Sequence, residues 1–386
     1  MKNVILPAAV VGTAALLAAC TTSVTGQPTA DQSPSAAPSA VAVPAGIDVG
    51  SFPTTTRTVP PPSLDSAWVL EGNRMGEALI QVNQIDPRLT IGGAGLRSYP
   101  VLNGDQLSTR VPDATADAFS RFSMKVGMTT TRGDDFDRPT VAVRIGLYRF
   151  GSPDDAQKAF DRVKASQQSM RAVPITSVPG VAAAEFRPGT VDSYLVQGPF
   201  VINISGTGPT TDQGAAFVSK GYQLELPKVQ AFSPTPTGSV QSLPGDKDAI
   251  LSRTLYQDST PTQEALGNTY YGLPTMLHKI RDISDASRYS DAGVDLVGEG
   301  ATVVYRTSNN GTAKQLADWL GTPTKGSISA ASPTGLPQVT CLNRVQLGNY
   351  FCAFAIGRYV STGGGQTLAE AQEKLSAQYA ILAKNP

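Results

Sequence analysis

A hydrolase needs a nucleophile and a base, and this sequence offers one histidine, His278, in the stretch PTMLHKIRD. No Gly-x-Ser-x-Gly elbow occurs, and no lysine has a serine three residues before it, which removes two common nucleophile patterns. A Ser/His/Asp arrangement around His278 stays open, because such partners can be distant in sequence. The competing reading is a partly buried imidazole on a short helix, bonded to backbone. For metals, one histidine and two paired cysteines cannot supply a zinc site. Asp134, Asp135 and Asp137 in RGDDFDRP lack the glycine and terminal glutamate of a calcium loop, and read as a solvated turn. GGAGLRS (92–98) misses the last glycine of a dinucleotide fingerprint, and STGGGQT (361–367) lacks the lysine of a phosphate loop. The glycines read as an exit from a strand. No metal and no cofactor is expected.

Sulfur carries the more definite chemistry. After Lys2, residues 4–19 contain no charged side chain, a run short of the roughly 20 apolar residues a membrane span needs and interrupted by Pro7. It ends in Leu17, Ala18, Ala19 and Cys20, similar to the lipobox of bacterial lipoproteins: a branched apolar residue, two small ones, then the obligatory cysteine. That similarity implies cleavage before Cys20 and a diacylglyceryl thioether on its sulfur, with two acyl chains enough to anchor the chain stably. A cleaved signal with a chance cysteine is the alternative. Residues 21–46 are mostly Ser, Thr, Pro and Ala with the single charge Asp31, a composition that cannot bury a core and reads as a disordered tether. The other cysteines, Cys341 and Cys352, lie on strand-like stretches flanking NRVQLGN, which can turn a hairpin and set them nearly opposite each other. In an oxidising compartment this predicts a disulfide; a free catalytic thiol is the other reading.

The elements that must position these residues repeat. VAVRIGLYRFGSPDDAQKAFDRV, SVPGVAAAEF, SYLVQGPFVINISGTG and AAFVSKGYQLELPKV are followed, 157 to 159 residues on, by GATVVYRTSNNGTAKQLADWL, GLPQVTCLNR, YFCAFAIGRYVSTGGG and AEAQEKLSAQYAILAK. Each copy reads as strand, helix, strand, strand, helix. Ser152, Thr312 and Thr367 read as N-caps. Leu368, Leu375, Tyr379 and Leu382 form one helical stripe. Charged residues are only 16% of the chain, while Gly (37) and Pro (29) are frequent, which favours a turn-rich fold with substantial sheet.

The expected class is α+β: two related domains, 47–232 and 249–386, each an antiparallel sheet with helices on one face, joined by a linker at 233–248. Lys plus Arg and Asp plus Glu both number 31, so nothing points to nucleic acid. Phe200 and Tyr359, at matching places in the copies, are the candidate ligand surface, with burial in the core as the alternative. The order of GIDVGSFPTTTR, IDPRLT, AGVDLVGEGATVVYRT, FCAFAIGRYV and LSAQYAIL resembles a family of uncharacterised actinobacterial envelope lipoproteins of mycobacterial and nocardial type, with two related α/β domains. The resemblance spans residues 47–386 and implies no catalytic residues. The expectation is a lipid-anchored extracytoplasmic binding or accessory protein, held to the membrane through Cys20 and receiving an envelope lipid, glycan or protein. An envelope hydrolase using His278 as base and a purely structural interaction protein are the alternatives.

Overall fold

The computed structural model describes residues 41–92 and 98–385. The first half runs α1 (Leu64–Ala78), β1 (Ile91–Gly92), β2 (Pro100–Val101), α2 (Gly104–Ser108), α3 (Asp113–Arg121), β3 (Val126–Gly133), β4 (Ala142–Arg149), α4 (Pro153–Ser166), β5 (Arg171–Ala172), β6 (Ala182–Arg187), β7 (Thr190–Gln197), β8 (Phe200–Thr207) and α5 (Thr211–Ala231). The second runs α6 (Pro261–Gly267), β9 (Thr269–Tyr271), α7 (Leu273–Lys279), α8 (Ala286–Asp291), β10 (Leu296–Glu299), β11 (Thr302–Arg306), α9 (Asn310–Leu320), β12 (Ile328–Ala330), β13 (Thr340–Arg344), β14 (Asn349–Ile356), β15 (Tyr359–Gly365) and α10 (Leu368–Lys384).

Helices begin where a side chain can answer the free amides of the first turn. Ser152 accepts from Asp155 N and Thr367 from Glu370 N, as their sequences predict. At α9 the cap is Asn309 and not Thr312. The Asn309 amide oxygen accepts from Gly311 N and Thr312 N, and the Thr312 hydroxyl reaches back to Asn309 N in a capping box.

The class is α+β. One antiparallel sheet has the order β1-β3-β4-β8-β7-β6-β5 with β2 beside β3, and the other β12-β13-β14-β15-β11-β10-β9. Read backwards, the second order reproduces the first. Helices, expected on one face, cover both. Val143, Ile145 and Leu147 of β4 join a core with residues of α1 and α5, while Tyr148 beside them joins a core with Phe119 of α3 and Phe160 of α4. In the second half α10 packs on one face and α9 on the other. The physical reason is in the strands: their side chains are apolar on both sides, and two such faces need two layers.

The repeat is longer than the sequence reading showed. Ser123 and Gly293, each left-handed, precede β3 and β10 by the same spacing. Phe119 then stacks on Tyr148 at 4.8 Å, and Tyr289 on Tyr305 at 5.8 Å. What hid this is a difference in one hairpin. Strand β3 is 8 residues long where β10 has 4, so the register between copies slips there.

Residues 41–385 form one compact unit. Helix α1 lies against β9 and α7: Asn73 Nδ2 donates to Thr269 Oγ1 (2.8 Å), and Thr275 Oγ1 to the Asn73 carbonyl (2.6 Å). Residues 90–92 pair with 281–283 through Gly92 N to Arg281 O (2.6 Å) and Ile283 N to Thr90 O (3.0 Å). The segment 41–57, whose residues from 47 on the sequence groups with the first domain, packs on the second half. There Val41 N bonds the Ala383 carbonyl at 2.8 Å, Val43 and Ile47 enter the core under α10, and Val49 and Phe52 pack beside Ala377 and Ile381. This strap explains why α10 is buried well beyond its predicted stripe. The segment 233–248, read as a linker, is tied to both halves: buried Glu71 accepts from Thr235 N at 3.0 Å and pairs with buried Arg149, while the Pro244 carbonyl accepts from Tyr270 Oη at 2.7 Å and Asp248 pairs with Arg306.

Candidate functional site

His278 is 3% exposed, at the end of α7 against the first half of the chain. Its Nε2 lies 3.1 Å from the Gly76 carbonyl and 3.3 Å from the Gln81 side-chain amide, so the tautomer that donates to Gly76 fits. Burial, then the charge of Arg132, pushes its pKa down to about 3. Neither a carboxylate nor a hydroxyl hydrogen-bonds to Nε2, and the ring is closed to an outside substrate. It joins the halves, as the backbone-bonded reading expects.

The remaining sequence candidates also resolve into structure. Asp134 accepts from Thr140 N (2.8 Å) and Val141 N (3.2 Å), and Asp135 from Asp137 N and Arg138 N (both 2.9 Å), so these carboxylates organise their own loop. Phe136 between them lies under Arg281 at 4.4 Å. Among the described residues no cluster of His, Cys, Asp and Glu could hold a metal ion. Gly363 and Gly365 make room for α10, since a Cβ would meet the Leu375 side chain at 2.7 Å and Ala371 N at 2.7 Å. Phe200 and Tyr359 are 3% and 7% exposed, so neither forms a ligand surface. Each ring completes the core under its sheet. Leu17, Ala18, Ala19 and Cys20 lie outside the described residues. Cys341 and Cys352 sit directly opposite each other on β13 and β14 and are bonded, with Cα atoms 4.1 Å apart.

A cavity of about 430 Å³ opens between α9 and β14. Its floor is Ala317, Ala353, Ala355 and Ile356, and its rim is Asn310, Lys314, Asp318, Gln338 and Thr340. Lys314 Nζ and Asp318 Oδ2 are 2.5 Å apart and largely exposed, a pair that contributes little to stability and leaves the rim electrically balanced. No histidine, cysteine or serine is among these lining residues. The surfaces on offer are methyl groups below and hydrogen-bond donors and acceptors above, which suits holding a ligand.

The repeat supplies an internal comparison. Arg149 pairs with Phe200 and Arg306 with Tyr359, while Gln197 and Ile356 occupy the same place before the turn. Tyr194 and Val196 of β7 therefore correspond to Ala353 and Ala355 of β14. The caps Ser152 and Asn309 align the helices, so Phe160 of α4 corresponds to Ala317 of α9. In the first half Phe160 and Tyr194 are buried with Val196 packed against them. In the second half three alanines stand there, yet Ala353 and Ala317 are 0% and 6% exposed, so α9 covers most of that position and the cavity opens beside the half-buried Ala355. The signal was legible in SYLVQGPF against CAFAIGRY, and sequence reasoning passed over it by fixing on the aromatic pair two positions past the glycine.

Family models described as Domain of unknown function (DUF7373), N-terminal and C-terminal, match residues 58–245 and 250–385. No curated protein matches. Among solved structures, the extracellular domain of PknH from Mycobacterium tuberculosis aligns at 11% identity over 44% of this chain and 100% of its own, with a TM-score of 0.29, a likeness too slight to argue from.

Proposed function

Since this chain belongs to the DUF7373 family along both of its halves, a family of unknown function, we propose that it is a lipid-anchored extracytoplasmic binding protein whose ligand seats in the trough between α9 and β14. The observation that carries this is the cavity itself, with Asn310, Lys314, Asp318, Gln338 and Thr340 gathered around its mouth. A non-catalytic role is supported by a lining that lacks His, Cys and Ser, by the pairing of Lys314 with Asp318, and by the one imidazole being closed away.

Placement outside the cytoplasm is supported by the Cys341–Cys352 bond, which persists in oxidising compartments, and by the leader ending at Cys20. The thioether on Cys20 would hold the folded unit to the outer face of the membrane, with no nucleic-acid partner. Binding is tested with the chain from Thr21 onward incubated with envelope extract, the retained compounds being read by mass spectrometry. Gln338→Trp, a bulky side chain at an exposed position on the rim, is expected to reduce retention by about tenfold or more with an unchanged melting temperature. His278→Ala should leave retention intact. Equal retention by the Gln338→Trp protein would overturn the assignment.

A further inference from the structure

The outer edge of the second sheet departs from its twin in charge. By the register that matches Ala183 and Ser193 to Cys341 and Cys352, Ile328 opposite Asn343 stands where the first copy has Arg171 opposite Glu185. The first copy closes its edge with an ion pair, Arg171 to Glu185 at 2.5 Å, whereas Ile328 is 58% exposed. Beside it the turn between β13 and β14 exposes Val345 (59%) and Leu347 (50%). The turn before β12 and this turn touch: a Cβ on the left-handed Gly326 would meet the Gln346 side chain at 2.7 Å. Three large apolar side chains thus crowd one corner of the sheet, where edges ordinarily carry charge or cover. We propose that this corner is a second membrane contact, entering the headgroup region of an anionic bilayer while the lipid on Cys20 holds the chain. This contact is additional to the ligand trough and rests on the chain being lipid-anchored.

Charge selects this occupant. From residue 319 to residue 369 the sequence holds no aspartate or glutamate, and its cations are Lys325, Arg344 and Arg358. The matching stretch of the first copy keeps Glu185 and Asp192. Lys325 is exposed beside Gly326; Arg344 precedes Val345, donating to Asn349 Oδ1 at 2.9 Å and lying over Phe351, so its charge is held at the foot of the turn. Glu370, the first carboxylate after the stretch, is paired with Lys374 at 2.6 Å. Apolar side chains standing half or more in solvent enter a fluid interface without needing a matching shape, and cations at their foot meet anionic headgroups. The anchor's reach allows both contacts at once. The 20 residues between Cys20 and Val41 span at most about 70 Å. Val41 sits at the end of α10, a helix of 17 residues and so about 25 Å long, whose start follows Gly365, the partner of Tyr350 beside the exposed turn.

The chain from Thr21, which lacks the anchor, is co-sedimented with vesicles of phosphatidylglycerol and phosphatidylcholine in equal parts, and with phosphatidylcholine alone. The mixed vesicles should bind it about tenfold more tightly, and Lys325→Glu should weaken that binding. Val345→Ser with Leu347→Ser should reduce binding to the mixed vesicles by about tenfold or more at an unchanged melting temperature. Ile328→Arg with Asn343→Glu, which installs the twin's ion pair, should do the same and gives the readout if the first variant fails to fold. No binding, equal binding to both kinds of vesicle, or binding that survives both pairs of substitutions overturns the proposal. So does a dimer of the unaltered chain in sedimentation velocity that Val345→Ser with Leu347→Ser dissolves, which would assign the corner to a second copy. Because the lipid is absent from this chain, such a failure leaves anchoring untouched; anchoring itself fails if the mass of the native protein shows Cys20 unmodified.

Discussion

His278 shows how far a residue type can be from its chemistry. A lone histidine in a sequence invites a catalytic role, yet here the imidazole fills the join between two halves, donating to the Gly76 carbonyl. Its folded pKa of about 3 lies below the unfolded value of 6.5, so between those limits the unfolded chain takes up a proton that the folded one refuses. Its contribution to stability is complete above pH 6.5 and is lost as pH falls toward 3. Urea unfolding from pH 7 to pH 4 should show that loss in the native protein, with a slope of up to about 1.4 kcal/mol per pH unit from this one site. The slope should flatten in His278→Ala, and identical slopes would contradict a buried neutral ring. Glu225 titrates in the opposite sense: wholly buried and accepting from Ile80 N, it is pushed up to about 8 by burial. Neither environment could be read from sequence, because burial depends on which distant elements close over the group.

At the scale of elements the sequence was more informative. Periodicity and polar caps placed α4, α9 and α10, and the spacing of Cys341 and Cys352 around a turn placed β13 against β14. The first copy has Ala183 opposite Ser193 at the matching position of its own sheet, so strand pairing does not depend on the bond. Replacing both cysteines with alanine should therefore lower unfolding free energy by about 2–3 kcal/mol, the loop-closure value for so short a ring, while the circular dichroism spectrum stays unchanged. Loss of the sheet signal would mean that the bond specifies register as well. The strap 41–57 and the segment 233–248 escaped sequence reading for a shared reason. Their anchoring comes from single contacts, such as Val41 N on the Ala383 carbonyl and Thr235 on Glu71, and not from periodic pattern.

For the molecule as a whole, the feature that joins the copies is the one they do not share. The longer β3–β4 hairpin carries Arg132, fully buried, whose guanidinium donates to the carbonyls of Leu277 (2.6 Å), Thr90 (2.7 Å), Ile280 (3.2 Å) and Arg281 (3.3 Å). Burial lowers its pKa to about 10, and the carbonyls at the end of α7 supply the negative potential a cation needs. Arg132→Ala strands those carbonyls and empties the space. It should lower stability by more than about 3 kcal/mol, with amide exchange accelerated first in β9 and α7. Uniform acceleration across both sheets would show that Arg132 supports its own sheet and not the join.

By itself the amino-acid order determined the α+β class, the duplication, the disulfide partners and the starts of α4 and α10, because these follow from local periodicity, turn chemistry and spacing. Only the tertiary structure decided that Phe200 and Tyr359 are core, that His278 is sealed, that helices cover both faces of each sheet, and that a cavity opens between α9 and β14. Those outcomes depend on which side chains meet across elements distant in the chain, and volume left empty between them has no residue of its own to announce it.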